Sequence, residues 1–366
     1  MLCHVALIGN RFIFTLHSVT LGATPLETGL LLAGLMVGPM LMSVHFGRWS
    51  DQFGYARPCA MGIAMMFLGG IVAALGGSMP TLFVASALTG CGFMLGNVAI
   101  MNAIGKLTHP QDMTRAFSTL AMMLSLSALT GPLIGGFVID YLGYATAYLA
   151  IAVFSAASAV QLWWATRRYI LPVVPAAALG TRRLLDLLEN RPLRMVFMAS
   201  GLLSMGWDTF SFLAPLQGIR AGLSATATGV VMGTFAVGMF AIRLALPAMA
   251  KRLSEWRIIS LAMLITAAGF IAFPLFTSFW PLAASALLLG MSLGCSQPII
   301  MTLLHHTSPE GRAGESVGVR ATISSFSQTT LPILFGGLGS AVGLVAVFWC
   351  AAVMLLAGAA SSVRQR

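Results

Sequence analysis

Between Arg57 and Lys106 the chain runs for 48 residues without one acidic or basic side chain, and comparable apolar runs recur to its end. A run of that kind cannot coat a water-facing surface. A backbone that crosses about 30 Å of hydrocarbon must satisfy its own hydrogen bonds, which takes roughly 20 apolar residues in a helix. Cutting the sequence at its charges and its Pro/Gly turns yields twelve such spans, near 1–20, 27–46, 58–77, 80–104, 115–138, 145–165, 195–216, 225–248, 257–277, 280–304, 316–338 and 342–361. The connections are short except for 166–194. Only 8% of the residues are charged and 58% are hydrophobic, against about 25% charged in a soluble domain. That balance excludes a soluble enzyme, a secreted disulfide scaffold and a disordered chain. Cys3, Cys59, Cys91, Cys295 and Cys350 lie far apart without ligand-like spacing, so no metal site, disulfide framework or cofactor is expected.

The net charge of +10 could point to nucleic acid, but the positions of the charges decide otherwise. Taking the loops alternately, seventeen Lys and Arg residues fall in one set, Arg320 counted among them, and Arg220 alone in the other; Arg11 and Arg243 fall inside spans. This asymmetry places the long loop and both termini in the cytoplasm. Residues 1–20 have no basic leading region and carry Arg11 where a signal peptide would be apolar, so they read as the first span.

The chain resembles itself at an offset of 200 residues. Gly22 falls on Gly222, Thr28-Gly29 on Thr228-Gly229, Val37-Gly38 on Val237-Gly238, Arg57 on Arg257, Pro132 on Pro332, Gly136 on Gly336 and Gly143 on Gly343. Two copies of six spans in one orientation imply parallel repeats around a midplane site. The expected fold is therefore an all-α membrane protein: twelve transmembrane helices in two pseudo-symmetric six-helix bundles, 1–165 and 195–366, joined by the cytoplasmic loop 166–194. Because Met1 corresponds to Gly201 while the seventh span begins near Met195, about six residues are expected to be missing from the first copy.

Between spans two and three stands Gly47-Arg-Trp-Ser-Asp51-Gln-Phe-Gly54-Tyr-Ala-Arg57-Pro58. It resembles the G-x-x-x-D-R-x-G-R-R/K loop of the major facilitator superfamily, and the twelve spans and duplicated halves extend the resemblance, to the bacterial twelve-span type, over the whole chain. The resemblance implies a gating loop formed by Gly47, Asp51, Gly54 and Arg57, in which Asp51 latches one state. Gln52 and Tyr55 stand where that family usually has basic residues, so fewer ionic contacts are expected. Gly131-Pro132-Leu-Ile-Gly135-Gly136 in span five is similar to the end of the family's antiporter motif, with plain helix packing as the alternative reading. The arginine of its proton-driven drug exporters would fall near Ser86 and is absent.

A charge inside a span costs at least about 2.5 kcal/mol, so Arg11 and Asp208, midway along spans one and seven, are the leading functional residues. Subtracting 200 places Asp208 one helical turn from Arg11 in the repeat. The two are expected to approach across a central cavity, where a proton or substrate competes for the pair; a fixed ion pair is the structural alternative. Their neighbours Asn10 and Trp207, and the pseudo-equivalent Asn97 and Gln297, complete the candidate substrate or proton site. Arg243 is expected to snorkel toward the interface.

These readings imply a secondary active transporter of a small organic solute, proton-coupled and exporting, working as a monomer in a bacterial inner membrane without nucleic acid or cofactor. The alternatives are proton symport of an anionic metabolite and, from other classes, a non-transporting receptor or a polytopic membrane enzyme. No nucleotide loop or H-E-x-x-H is present in the sequence.

Overall fold

The computed structural model describes residues 1–107, 113–168, 189–309 and 313–363. Within them, the side chains at 39, 43, 44, 47, 48, 50–52, 102–107, 113–118, 121, 168, 247, 305, 313–315, 317, 318 and 363 fall outside the description. All regular structure among the described residues is helical: α1 Leu2–Thr20, α2 Pro25–Phe53, α3 Ala56–Gly76, α4 Met79–Leu107, α5 Met113–Arg168, α6 Arg191–Arg220, α7 Ala225–Ala250, α8 Glu255–Ala272, α9 Phe279–Gly294, α10 Ser296–Thr307, α11 Ala313–Val342 and α12 Leu344–Val363. A short 3-10 turn, Phe273–Leu275, follows α8.

Nine stretches among the described residues are long and apolar enough to cross a membrane, and the protein is an integral membrane protein. The stretch Met122–Arg167 covers the expected spans five and six in one helix, broken at Gly143. The helices outside the nine are α6 and α11, both interrupted by charges and by many hydroxyl side chains. Large apolar residues such as Leu41, Leu75, Val153, Leu244, Leu288 and Val353 are exposed on the helices, as lipid-facing positions are. Trp163, Trp164 and Trp280 are exposed near helix ends, and the Arg167 guanidinium stands 4.0 Å over the Trp163 ring.

The turns show why the helices stop where they do. Gly22 (φ 82) and Gly222 (φ 70), a repeat distance apart, take the left-handed conformation after α1 and after α6. Gly143 (φ 80) and Gly343 (φ 89) do the same in α5 and between α11 and α12. Other residue types pay about 1–2 kcal/mol there. At helix crossings the same pairing holds. A methyl group on Gly90 would strike the Leu35 carbonyl, and one on Gly290 would strike the Phe235 carbonyl, so α4 can lie on α2 and α9 on α7 only with glycine at the contact.

Packing divides the chain into two compact units, Met1–Leu179 with Ser224–Gly233, and Gly180–Leu223 with Thr234–Arg366. In the first, α1 runs along α5, α2 along α4, and α3 between α4 and α5. In the second, α12 packs on α8 and α6, α11 on α6, and α9 on α8. The first turns of α7, which the repeat assigns to the second copy, pack with the first unit up to Gly233, and the helix then continues in the other.

Candidate functional site

In the first unit, α1 is buried from Val5 to Ser18 with one interruption, which places Asn10 (1% exposed) and Arg11 (9% exposed) inside the protein and not toward lipid. The Asn10 carboxamide oxygen has no hydrogen-bond partner among the described residues. The antiporter-like segment fixes the position of α1. A Cβ on Gly131 would lie 2.8 Å from Gly9 N, and one on Gly135 would lie 3.3 Å from the Ile13 side chain. Gly136 and the Pro132 carbonyl face the start of α7, where they touch Ala225 and Gly229. Every one of these four residues is therefore used in helix packing, on two different neighbours, and the crossing at Gly9 stands two residues before Arg11.

In the second unit, α6 and α11 meet along a polar seam. Arg320 Nε donates to Ser200 Oγ at 3.1 Å, Ser204 Oγ and Ser324 Oγ share a hydrogen bond at 3.2 Å, and Ser327 Oγ donates to Asp208 Oδ2 at 3.3 Å. On α6 the three rungs are four residues apart, and on α11 four and then three, the spacing that puts side chains on one helical face. Asp208 is 2% exposed. Trp207 points elsewhere, onto Phe235 of α7 with ring centroids 5.3 Å apart, and Phe235 also stacks on Phe210 at 4.1 Å.

The seam corrects one expectation. Arg320, counted above with the cytoplasmic loop charges, stands within α11 and is half-buried against Ser200. The reason is tertiary: sequence position shows a charge near a helix start, whereas its burial depends on which helix covers that face. Seven hydroxyl or amide residues between Thr322 and Thr330 were the available signal of a polar face in α11. Arg243, on α7, donates from Nε to the Gly294 carbonyl at 3.3 Å. Pro298 lacks an N–H and so leaves the carbonyl four residues earlier without its helical donor; α9 ends at Gly294, α10 restarts at Ser296, and Arg243 takes the freed acceptor. Gln297 lies exposed just past that break, while its counterpart Asn97, half-buried, sits in the unbroken α4, where Val98 replaces the proline.

The gating loop is described only in part. Gly54 closes α2 with φ 72, and the Arg57 guanidinium lies 5.6 Å from the Phe53 ring centroid. The side chain of Asp51 and the contacts of Gly47 lie outside the described residues. Ser86 is fully buried and donates to the Leu31 carbonyl at 2.7 Å, with Gly34 close by, so the position of the drug exporters' arginine holds no long side chain here.

Residues 2–329 and 196–364 match the Major Facilitator Superfamily. The chain belongs to that superfamily. It is 23% identical over 297 residues to the human chromaffin granule amine transporter, covering 76% of this chain and 53% of that protein. The chain thus spans about half the length of that relative. It is also 23% identical over 366 residues to the uncharacterized MFS-type transporter YuxJ of Bacillus subtilis strain 168, covering 96% and 91%. Among solved structures, a POT family transporter in complex with a thioalcohol-conjugated peptide superposes with TM-score 0.78 at 12% identity, over 99% of this chain and 95% of that one. At that identity the likeness shows the fold alone. The family and these relatives are of transporter type, which agrees with a non-enzymatic role.

Proposed function

We propose that this protein is a secondary active transporter of a small organic solute that works by alternating access, with twelve spans in a bacterial inner membrane and both termini in the cytoplasm. Transport is coupled to protons and runs outward, and a single copy suffices. The observation that carries this reading is Asp208, a carboxylate 2% exposed in the middle of α6, held by the Ser327 hydroxyl on the seam with α11. Intramembrane carboxylates are costly and mark ion or proton pathways. A carboxylate exchanged between a buried and a charge-paired environment takes up and releases a proton. Arg11, buried in α1, is its functional partner in this reading, with Asn10, Asn97, Trp207 and Gln297 forming the solute-contacting set. Asp51 and its loop gate the cycle, and the glycines of the antiporter-like segment hold α1 and α7 against α5.

The test is proton flux after a pH jump in proteoliposomes, screened against pooled cationic, neutral and anionic solutes. Solute-dependent proton flux in the native protein that disappears in Asp208→Asn and in Arg11→Gln supports coupled transport. Flux that persists in both variants at every pH overturns the assigned coupling residues, and the absence of any solute-dependent flux favours a receptor that keeps the fold.

A further inference from the structure

Arg320 is a charge that the proton-coupling reading does not use. It stands half-buried within α11, and among the described residues its polar contacts are Ser200 Oγ on α6 at 3.1 Å and Met301 Sδ on α10 at 4.0 Å. Both partners are neutral. A guanidinium has five N–H donors, and a hydroxyl with a thioether answers only part of that capacity. Helix packing does not call for the charge, because the position 200 residues earlier is Leu120. Holding α6 to α11 does not call for it either: one turn further on, Ser204 and Ser324 bridge the same helices at 3.2 Å without any charge. Burying a charge is costly unless it is paired, so a half-buried guanidinium beside two neutral groups points to an anion that is absent from these contacts.

The chemistry of the residue narrows the ligand. Arginine stays protonated at all accessible pH values, so it carries no transported proton; what it presents is a fixed positive charge on a planar donor fork that matches a carboxylate. Ser200 engages Nε and thereby orients the plane. Asp208 lies on the same face of α6, eight residues beyond Ser200, which is about 12 Å along the helix. A carboxylate seated at Arg320 is therefore two turns clear of the negative charge on this seam.

We propose that Arg320 is a binding site for a carboxylate, and, on the transport reading above, that this carboxylate belongs to the transported solute. Half-burial leaves the guanidinium reachable by a solute while excluding most of the water that would screen it. The site then divides the labour along one helix seam: Arg320 recognises the anionic group and Asp208 exchanges the proton.

The test uses the full chain in lipid nanodiscs and four probes that share one carbon skeleton: 4-phenylbutyrate, 4-phenylbutyl phosphate, 4-phenylbutylamine and 4-phenylbutanol. Binding is read as ligand-dependent thermal stabilisation. The expected result is stabilisation by the carboxylate and none by the amine or alcohol, with Arg320→Gln weakening the apparent affinity by about tenfold or more. Ser204→Ala, on the neutral rung, leaves it unchanged. Should Arg320→Gln not fold, Arg320→Lys and Ser200→Ala serve instead, and both weaken carboxylate binding by severalfold because the planar fork is lost or no longer held. Equal carboxylate binding in native and substituted proteins, preference for the phosphate or the amine, or no stabilisation by the carboxylate overturns the assignment. Flux measurements on the same probes separate this outcome from the transport reading. Arg320-dependent binding without flux keeps the site and removes transport, whereas flux indifferent to Arg320 keeps transport and removes the site.

Discussion

Gly90 and Gly290 serve the same purpose in the two halves, each letting a helix cross against a neighbouring carbonyl, whereas Leu120 and Arg320, which share the same offset, have nothing in common chemically. The pattern extends along the chain. Turn glycines recur as Gly22 with Gly222 and Gly143 with Gly343. Arg57 and Pro132 recur as Arg257 and Pro332, but other charged and helix-breaking residues do not: Ile8 matches Asp208 in the repeat, Val98 matches Pro298, Glu27 matches Ala227 and Asp140 matches Ser340. Backbone geometry is constrained identically in both copies, because a left-handed turn or a close crossing admits glycine and little else. Side-chain chemistry has no such constraint. The positions where the copies differ are therefore where one copy has acquired a task the other lacks, and replacing each by its counterpart tests that division.

The largest effect is expected where the copies agree. Gly90→Leu and Gly290→Leu each place a side chain against a backbone carbonyl that cannot rotate away, so both should cost about 3 kcal/mol, the upper end of overpacking. The measurement is thermal unfolding of detergent-solubilised protein. A large loss for one glycine and none for its counterpart breaks the claim that the two crossings are equivalent.

Making the broken helix resemble the unbroken one comes next. Pro298→Val returns an N–H that can bond the Gly294 carbonyl now held by Arg243. The expected gain in thermal stability is about 1–2 kcal/mol, below the roughly 3 kcal/mol of a proline in a regular helix, because the freed acceptor already has a donor. Solute flux should fall, since Gln297 loses the interrupted backbone beside it. A stability loss would show that the break is required for packing.

How far the sequence carried these conclusions differs by level. The all-helical membrane fold, its long apolar stretches and the recurring turn glycines were legible because each rests on local rules: apolar length, backbone conformation and identity at a fixed offset. The burial of Arg11 and Asp208 was legible for a related reason, since a charge in mid-span must be covered by protein. Arg320 was misread because the turn that covers it belongs to α6, far away in sequence. The start of α7 was assigned to the second copy by the repeat, yet it packs with the first unit through residue 233. That contact depends on Asp140 and Gly136 of α5, and no periodicity in α7 itself announces it.

Those two helix starts give the third test. At α2 the cap is local: Thr24 Oγ1 accepts from Glu27 N at 3.2 Å while Glu27 Oε2 accepts from Thr24 N at 2.7 Å. At α7 the equivalent of Glu27 is Ala227, and the carboxylate comes from another helix: Asp140 accepts from Ala225 N at 3.0 Å and Thr226 N at 2.7 Å. Replacing Asp140 by its counterpart, Asp140→Ser, should cost about 1 kcal/mol, the usual value of a lost helix cap. Adding Ala227→Glu should recover part of it, because Ser224 already bonds Ala227 N at 3.1 Å and a glutamate there completes a capping box. Failure of Ala227→Glu to recover any stability would mean that Asp140 matters by joining α5 to α7, and that the unsatisfied N–H groups at the start of α7 cost little.

The smallest effect is expected on the seam between α6 and α11. Ser204→Ala removes the Ser204–Ser324 bond, and an interhelical hydrogen bond of this kind contributes about 0.6 kcal/mol on average. Thermal unfolding should register little more than that, and flux should be unchanged. The value of the measurement lies in its neighbours. Ser200 and Ser327 have the same hydroxyl chemistry on the same seam, but their partners are Arg320 and Asp208. If the three serines were interchangeable packing contacts, their alanine variants would behave alike. If the seam carries the chemistry, Ser200→Ala alters carboxylate binding and Ser327→Ala alters the pH dependence of flux, each at a stability cost somewhat larger than that of Ser204→Ala, because the bond removed is one to a charged group.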